Sequence, residues 1–123
     1  LDKDLIVLSV TLQGKIENKY EIEKKRISLI NKKKESQPSR VKTCGSTFKN
    51  PENKKAWQLI KDSNCSDLVI GGASISSKHN NFFLNNGNAT SLDIETLIEQ
   101  VRKKVFLYTG TKLDLEIQII GGK

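Results

Sequence analysis

The residues able to do chemistry in this chain gather in three short stretches. The first, Thr43-Cys44-Gly45-Ser46-Thr47-Phe48-Lys49-Asn50-Pro51, packs a glycine, four hydroxyl or thiol side chains, a lysine and an amide into nine residues. The second carries the only histidine, His79, between Lys78 and Asn80. The third places Asp114 and Glu116 two apart, on one face of an extended segment. Ser46, next to Gly45, can act as a nucleophile or as a proton donor. As a nucleophile it needs a base, and His79 is the single imidazole available. Its flanks do not form the G-x-S-x-G elbow of the hydrolases. Lys42, Lys49 and Asn50 can hold a phosphate through charge and amide contacts. Each group also has a plainer reading. Residues 43–51 can be a connection punctuated by Gly and Pro, His79 a surface loop residue, Cys44 a small buried thiol, and Asp114 and Glu116 solvated strand carboxylates.

The elements that must position these groups follow from periodicity. In residues 5–12, Ile6, Leu8, Val10 and Leu12 alternate with a face that turns polar, which predicts a strand ended at Gln13-Gly14. Residues 15–35 place Ile16, Tyr20, Ile27 and Ile30 near helical spacing among Glu, Lys and Arg, which predicts a charged surface helix closed by Pro38. Residues 39–53 read as a loop. Asn50-Pro51-Glu52-Asn53 then signals a helix start before Ala56, Trp57, Leu59 and Ile60. Leu68-Val69-Ile70 is a short strand stopping at Gly71-Gly72, where two glycines predict a sharp turn or a close backbone approach. Residues 73–77 and Phe82-Phe83-Leu84 give two more strands, the latter ended by Asn85-Asn86-Gly87-Asn88. The clearest helix covers about residues 91–108. Its stripe is Ile94, Leu97, Ile98, Val101 and Val105, with Thr90 or Ser91 as cap, Asp93 and Glu95 at its positive end, and Gly110 as stop. Leu113, Leu115, Ile117 and Ile119 alternate with polar residues as a last strand. Interleaved strands and helices predict an α+β fold, a small α/β sandwich of short strands and three main helices.

The totals narrow the classes. At 123 residues, with 36% hydrophobic and 28% charged content, the chain has one domain's worth of core. The apolar run at residues 5–12 is far too short to cross a bilayer as a helix. The beginning, Leu1-Asp2-Lys3-Asp4, is acidic on balance and shows no secretory pattern. Two cysteines, Cys44 and Cys65, with no C-x-x-C, point to free thiols in a reducing, cytoplasmic setting and to no metal site. The chain contains no methionine and starts near an apparent strand, as expected of a piece of a longer protein. Of the net charge of +7, residues 15–42 carry most, with ten Lys or Arg against four Glu. Such a segment suits either a nucleic acid or simple solvation of a helix face. Tyr20 is its one aromatic residue, so it offers no stacking platform.

Taken in order, Gly45-Ser46-Thr47-Phe48-Lys49-Asn50-Pro51, Ala56-Trp57-Gln58-Leu59-Ile60, Ile70-Gly71-Gly72-Ala73, Ser76, Lys78-His79-Asn80-Asn81-Phe82, Asn85, Gly87-Asn88-Ala89-Thr90, Leu115-Glu116-Ile117 and Ile120-Gly121 resemble the C-terminal, substrate-binding domain of the UDP-N-acetylenolpyruvoylglucosamine reductase family. Each motif alone is common; the ordered set is specific and covers nearly the whole chain. Residues 1–14 resemble the last strand and exit of that family's flavin-binding domain, otherwise missing here, and residues 15–123 its substrate domain. The short stretch between residues 78 and 90 resembles the branch without an extra tyrosine-bearing loop. Relatives often carry glutamate where this chain has Asp114, while Glu116 is kept.

The resemblance implies a cytoplasmic oxidoreductase of peptidoglycan precursor synthesis, with FAD reduced by NADPH and hydride passed to the enolpyruvyl double bond of UDP-N-acetylglucosamine enolpyruvate. It implies Ser46 as proton donor, Glu116 as the residue steadying the enol-like intermediate, and Asn50 as a contact to the nucleotide diphosphate. Lys49 and His79 are implied as further substrate contacts. FAD is expected mainly on the missing N-terminal flavin domain, which also holds the family's catalytic arginine, so this chain alone is expected to be inactive. Neither nucleic acid nor membrane is an expected partner. A small basic nucleic-acid-binding module remains the alternative, and a hydrolase using Ser46 and His79 a third reading.

Overall fold

The computed structural model describes residues 6–121. The chain divides into two compact units, Leu1–Asn31 and Lys32–Lys123. In the first unit, the strand expected over residues 5–12 is not formed: residues 6–18 have no regular structure and are exposed, and Leu5 lies outside the described residues. Apolar alternation alone does not make a strand, because each backbone N–H and C=O needs a partner, and among the described residues nothing pairs with 6–12. Helix α1 (Lys19–Ser36) begins in this unit and none of its residues is buried. The Asn18 side chain accepts from the Tyr20 N–H at its start, and Glu23 pairs with Arg26 one turn on.

The second unit holds strand β1 (Lys42–Ser46), helix α2 (Ala56–Asp62), strands β2 (Val69–Ile70), β3 (Ala73–Ile75) and β4 (Phe82–Asn85), and helix α3 (Ser91–Thr109). The four strands form one antiparallel sheet in the order β1-β4-β3-β2. This is the α+β architecture expected. β2 and β3 make a hairpin through Gly71-Gly72 with Ile70 opposite Ala73. Gly71 has φ +52, and a Cβ there would sit 2.5 Å from the Asp93 carboxylate, so both a turn and a close approach demand glycine.

α3 supplies the largest apolar face. Leu97, Ile98, Val101 and Val105 are fully buried, with Ile94 packed beside them, as the helical spacing predicts. They meet Phe48, Ala56, Ile60, Cys65, Ala73, Ile75, Phe83 and Leu113 in one core. Thr90 caps the helix in a reciprocal box: its hydroxyl accepts from the Asp93 N–H, and Asp93 accepts from the Thr90 N–H. Those bonds hold the Asp93 carboxyl below its ordinary range. Gly110, at φ +69, ends the helix in the left-handed conformation.

Two further expectations change. Part of the stretch read as a loop is an edge strand, β1, paired with β4 through Lys42–Asn85, Thr43–Leu84 and Ser46–Phe82. The last strand, by contrast, shrinks to a single bridge between Phe48 and Leu115. Leu113 and Leu115 still turn inward, but residues 113–119 find no continuous neighbouring ladder, so their alternation fixes packing without making a strand.

Candidate functional site

β1 ends at Ser46 after an irregularity in register between Thr43 and Ser46. Gly45 lies there with φ +87, and its N–H is taken by the Thr43 hydroxyl at 3.2 Å. A bulge of this kind bends an edge strand and re-aims its next side chain. That residue is Ser46, which is half-buried. Among the described residues its hydroxyl makes no hydrogen bond.

Beyond Ser46 the chain runs between two partners. On one side the Thr47 N–H donates to the Asn81 carbonyl at 2.8 Å. The Asn81 side chain then accepts from the Phe48 N–H at 3.0 Å and donates to the Phe48 carbonyl at 2.8 Å. On the other side the Glu116 N–H donates to the Thr47 carbonyl and the Lys49 N–H to the Asp114 carbonyl, both at 2.9 Å. Ser46 and Glu116, seventy positions apart in the sequence, therefore stand on backbone segments that are hydrogen-bonded to each other. Phe48, 1% exposed and edge-on to Phe83 at 5.8 Å, anchors the crossing in the core. The Glu116 side chain is exposed.

Asn50 and Lys49 follow at once. The Asn50 carbonyl oxygen accepts from the Ala56 N–H at 3.0 Å, capping α2 from six residues away. Lys55, at the cap position, provides no side-chain bond. The helix thus starts at Ala56, later than the Asn50-Pro51 signal suggested. The Asn50 N–H₂ group makes no hydrogen bond among the described residues and is open to a ligand. Lys49 is exposed, and Lys54 reaches Thr111 at 2.9 Å.

His79 belongs to a different corner. It opens the turn whose Phe82 N–H donates to the His79 carbonyl, and its Nδ1 accepts from the Asn81 N–H at 3.3 Å. Its ring packs against Phe82 at 4.8 Å and Trp57 at 6.4 Å. Burial pushes its pKa down from the ordinary value, which favours the neutral ring. It borders a cavity of about 470 Å³ with Trp57, Lys61 and Ser66, while Thr47 and Ile117 line a separate groove of about 350 Å³ with Cys44 and Phe83. Among the described residues no hydrogen bond joins His79 to Ser46, and neither cavity is lined by both. The structure brings Ser46 and Glu116 together through the backbone; it does not assemble a Ser46–His79 pair. Cys44 is exposed, not the buried thiol of the plainer reading, and Cys65 is buried; both are free. No cluster of three His, Cys, Asp or Glu side chains suited to a metal forms among the described residues.

The residue that sequence reasoning passed over is Asn81. It lay in the motif Lys78-His79-Asn80-Asn81-Phe82, and no feature of that run marks one of its two adjacent asparagines as the partner of Phe48.

Fold and site together define an α+β domain that presents a hydroxyl and a carboxylate on two crossed extended segments beside a polar, lysine-bearing loop. A family model described as "UDP-N-acetylenolpyruvoylglucosamine reductase, C-terminal domain" matches residues 37–120, and the chain belongs to that family. The UDP-N-acetylenolpyruvoylglucosamine reductase of Pelagibacter ubique (strain HTCC1062) is 48% identical over 98% of this chain and 41% of its own length. That of Gluconobacter oxydans (strain 621H) is 44% identical over 100% of this chain and 40% of its own. The crystal structure of the Thermus caldophilus UDP-N-acetylenolpyruvylglucosamine reductase is 33% identical with a TM-score of 0.73, over 85% of this chain and 36% of that one. The chain thus spans about two fifths of the length of the curated relatives it matches.

Proposed function

We propose that this chain forms the substrate-side part of a UDP-N-acetylenolpyruvoylglucosamine reductase acting in the cytoplasm on UDP-N-acetylglucosamine enolpyruvate, a precursor step of peptidoglycan synthesis. The observation that carries the reading is the crossing of segments 46–49 and 114–116, which ties the backbone next to the half-buried Ser46 to that of Glu116. Around Gly45 nothing lies within 4 Å of where a Cβ would sit. An open edge of this kind fits a site completed by FAD, held mainly on a flavin-binding domain outside these residues and reduced by NADPH, with residues 1–14 as the exit from that domain. When bound, the flavin supplies the hydride.

This chain's own residues handle the proton and the charge. A serine hydroxyl is a very weak acid at neutral pH, so Ser46 Oγ gives up its proton only to a strongly basic carbon next to the enolate-like group. Glu116 steadies the enol-like intermediate on the substrate carboxyl side, where negative charge develops, aided by a cation from beyond this chain. The N–H₂ group of Asn50 contacts the nucleotide diphosphate, whose oxygens suit amide donors, and Lys49 and His79 are further substrate contacts.

The test uses an FAD-loaded enzyme in which these residues are joined to the remaining part of a relative's chain. Stopped-flow kinetics separate flavin reduction by NADPH from reoxidation by substrate. Ser46→Ala is expected to leave the first intact and slow the second by about 10²–10⁴-fold, the usual worth of a positioned acid. Unchanged reoxidation contradicts the assignment.

A further inference from the structure

The bonding around Phe48 singles out one more residue for this reaction. A continuous β1–β4 ladder would satisfy residues 46–48 through backbone groups of β4, but the register breaks before Ser46 and β4 begins only at Phe82. Asn81 fills the gap. Its main-chain carbonyl takes the Thr47 N–H, its side-chain carbonyl takes the Phe48 N–H, and its N–H₂ group donates to the Phe48 carbonyl. Donor and acceptor at the spacing of a peptide group are what a primary amide offers and a carboxylate or alkyl group does not. The residue is 4% exposed, so water is not at hand to replace its side chain, and a lost bond would leave a buried backbone group unpaired. With Asn81 on one side and residues 114–116 on the other, all four backbone polar groups of Thr47 and Phe48 lead to distant segments.

From this geometry we infer that Asn81 is a positioning residue for the protonation step, holding the backbone from Ser46 to Phe48 at a fixed height against the Glu116 segment. Asn81 touches no reacting atom in this account; it acts through Ser46, so the inference rests on the proposed role of that serine. Displacing a reacting group by about an ångström costs on the order of 10²-fold in rate, and Asn81 is the contact whose loss permits that displacement.

The experiment uses the same FAD-loaded enzyme. Asn81→Asp keeps the shape and the acceptor but sets a carboxylate oxygen against the Phe48 carbonyl. Flavin reduction by NADPH should stay at the parent rate, while reoxidation by substrate slows by about 10²-fold with kcat falling and KM held. In a Ser46→Ala background Asn81→Asp should add no further loss, because nothing is left to position. Additive losses, equal losses in both half-reactions, or normal reoxidation overturn the inference. Asn81→Ser, which removes the amide without adding charge, replaces the aspartate variant if that one lacks a cooperative thermal transition. If neither folds, Asn81 is a structural clamp and the inference fails. If Ser46→Ala itself reoxidises normally, the proposed function falls; if Ser46→Ala is slow and the Asn81 variant is not, only the positioning role falls.

Discussion

Every peptide N–H from Thr47 to Lys49 is bonded to a distant part of the chain: two go to Asn81 and one to Asp114. Residues 6–12 have no such partner among the described residues, and Leu8 is 92% exposed. Yet residues 6–12 carry the alternating apolar side chains of a strand, whereas residues 46–49 have one large apolar side chain, Phe48. The contrast shows where extended backbone gets its stability. Side-chain pattern decides which face will be buried once neighbours exist, but the neighbours must bring the donors and acceptors. In the site region those come from a buried asparagine and from a segment about seventy residues away in the chain, which is why the backbones that carry Ser46 and Glu116 are tied together there.

The sharpest way to break that contrast is to truncate an apolar side chain in each region. Leu97→Ala, in the core under the sheet, should lower stability by about 2–5 kcal/mol in urea unfolding. Leu8→Ala should change it by no more than about 0.5 kcal/mol. A large loss from Leu8→Ala would mean that residues 6–12 pack after all. A smaller effect probes a second backbone donor served from a distance. Asn50→Ala removes the acceptor for the Ala56 N–H and should cost about 1 kcal/mol, as for other helix caps; denaturant midpoints would read it, and an unchanged midpoint would mean that the bond contributes nothing.

The smallest expected effect concerns His79, whose turn leads into Asn81. Its pKa in the folded protein lies below the ordinary 6.5 because burial disfavours the charged ring. The unfolded chain therefore binds a proton more readily than the folded one as pH falls below that value. The stabilisation is present in full above 6.5 and is lost as pH drops through the folded value. Thermal midpoints measured from about pH 8 to about pH 5 should decline in that window, and His79→Gln should flatten the decline. Parallel curves for both proteins would show that the ring is not the titrating group.

Much of this fold was legible from local signals. The α3 stripe, its Thr90 box and its Gly110 stop are all encoded within a few residues of where they act, and they formed as spacing dictates. Gly71-Gly72 was legible as a turn or close approach, although its neighbour, Asp93, lies twenty-two positions further on from Gly71 and could not be named. Alternation makes no strand over residues 6–12 and 113–119 for one reason: it measures amphipathicity, and a ladder also requires a partner at the right height. Ser46 and Glu116 stand out from the sequence only through the ordered set of motifs, since neither side chain is distinctive by composition. Asn81 was not legible, because a side chain that stands in for a strand is defined by what lies across from it. The backbone tie between Thr47 and Glu116 is of the same kind.

The central claim is that residues 46–49 and 114–117 form one substrate surface. Amide NMR spectra of the FAD-loaded enzyme, recorded with and without UDP-N-acetylglucosamine enolpyruvate under non-turnover conditions, test it directly. The account predicts that the resonances of Ser46, Thr47, Lys49 and Glu116 shift together as substrate is added, with one shared saturation curve. Shifts confined to one of the two segments, or absent from both while the substrate binds elsewhere, would contradict it.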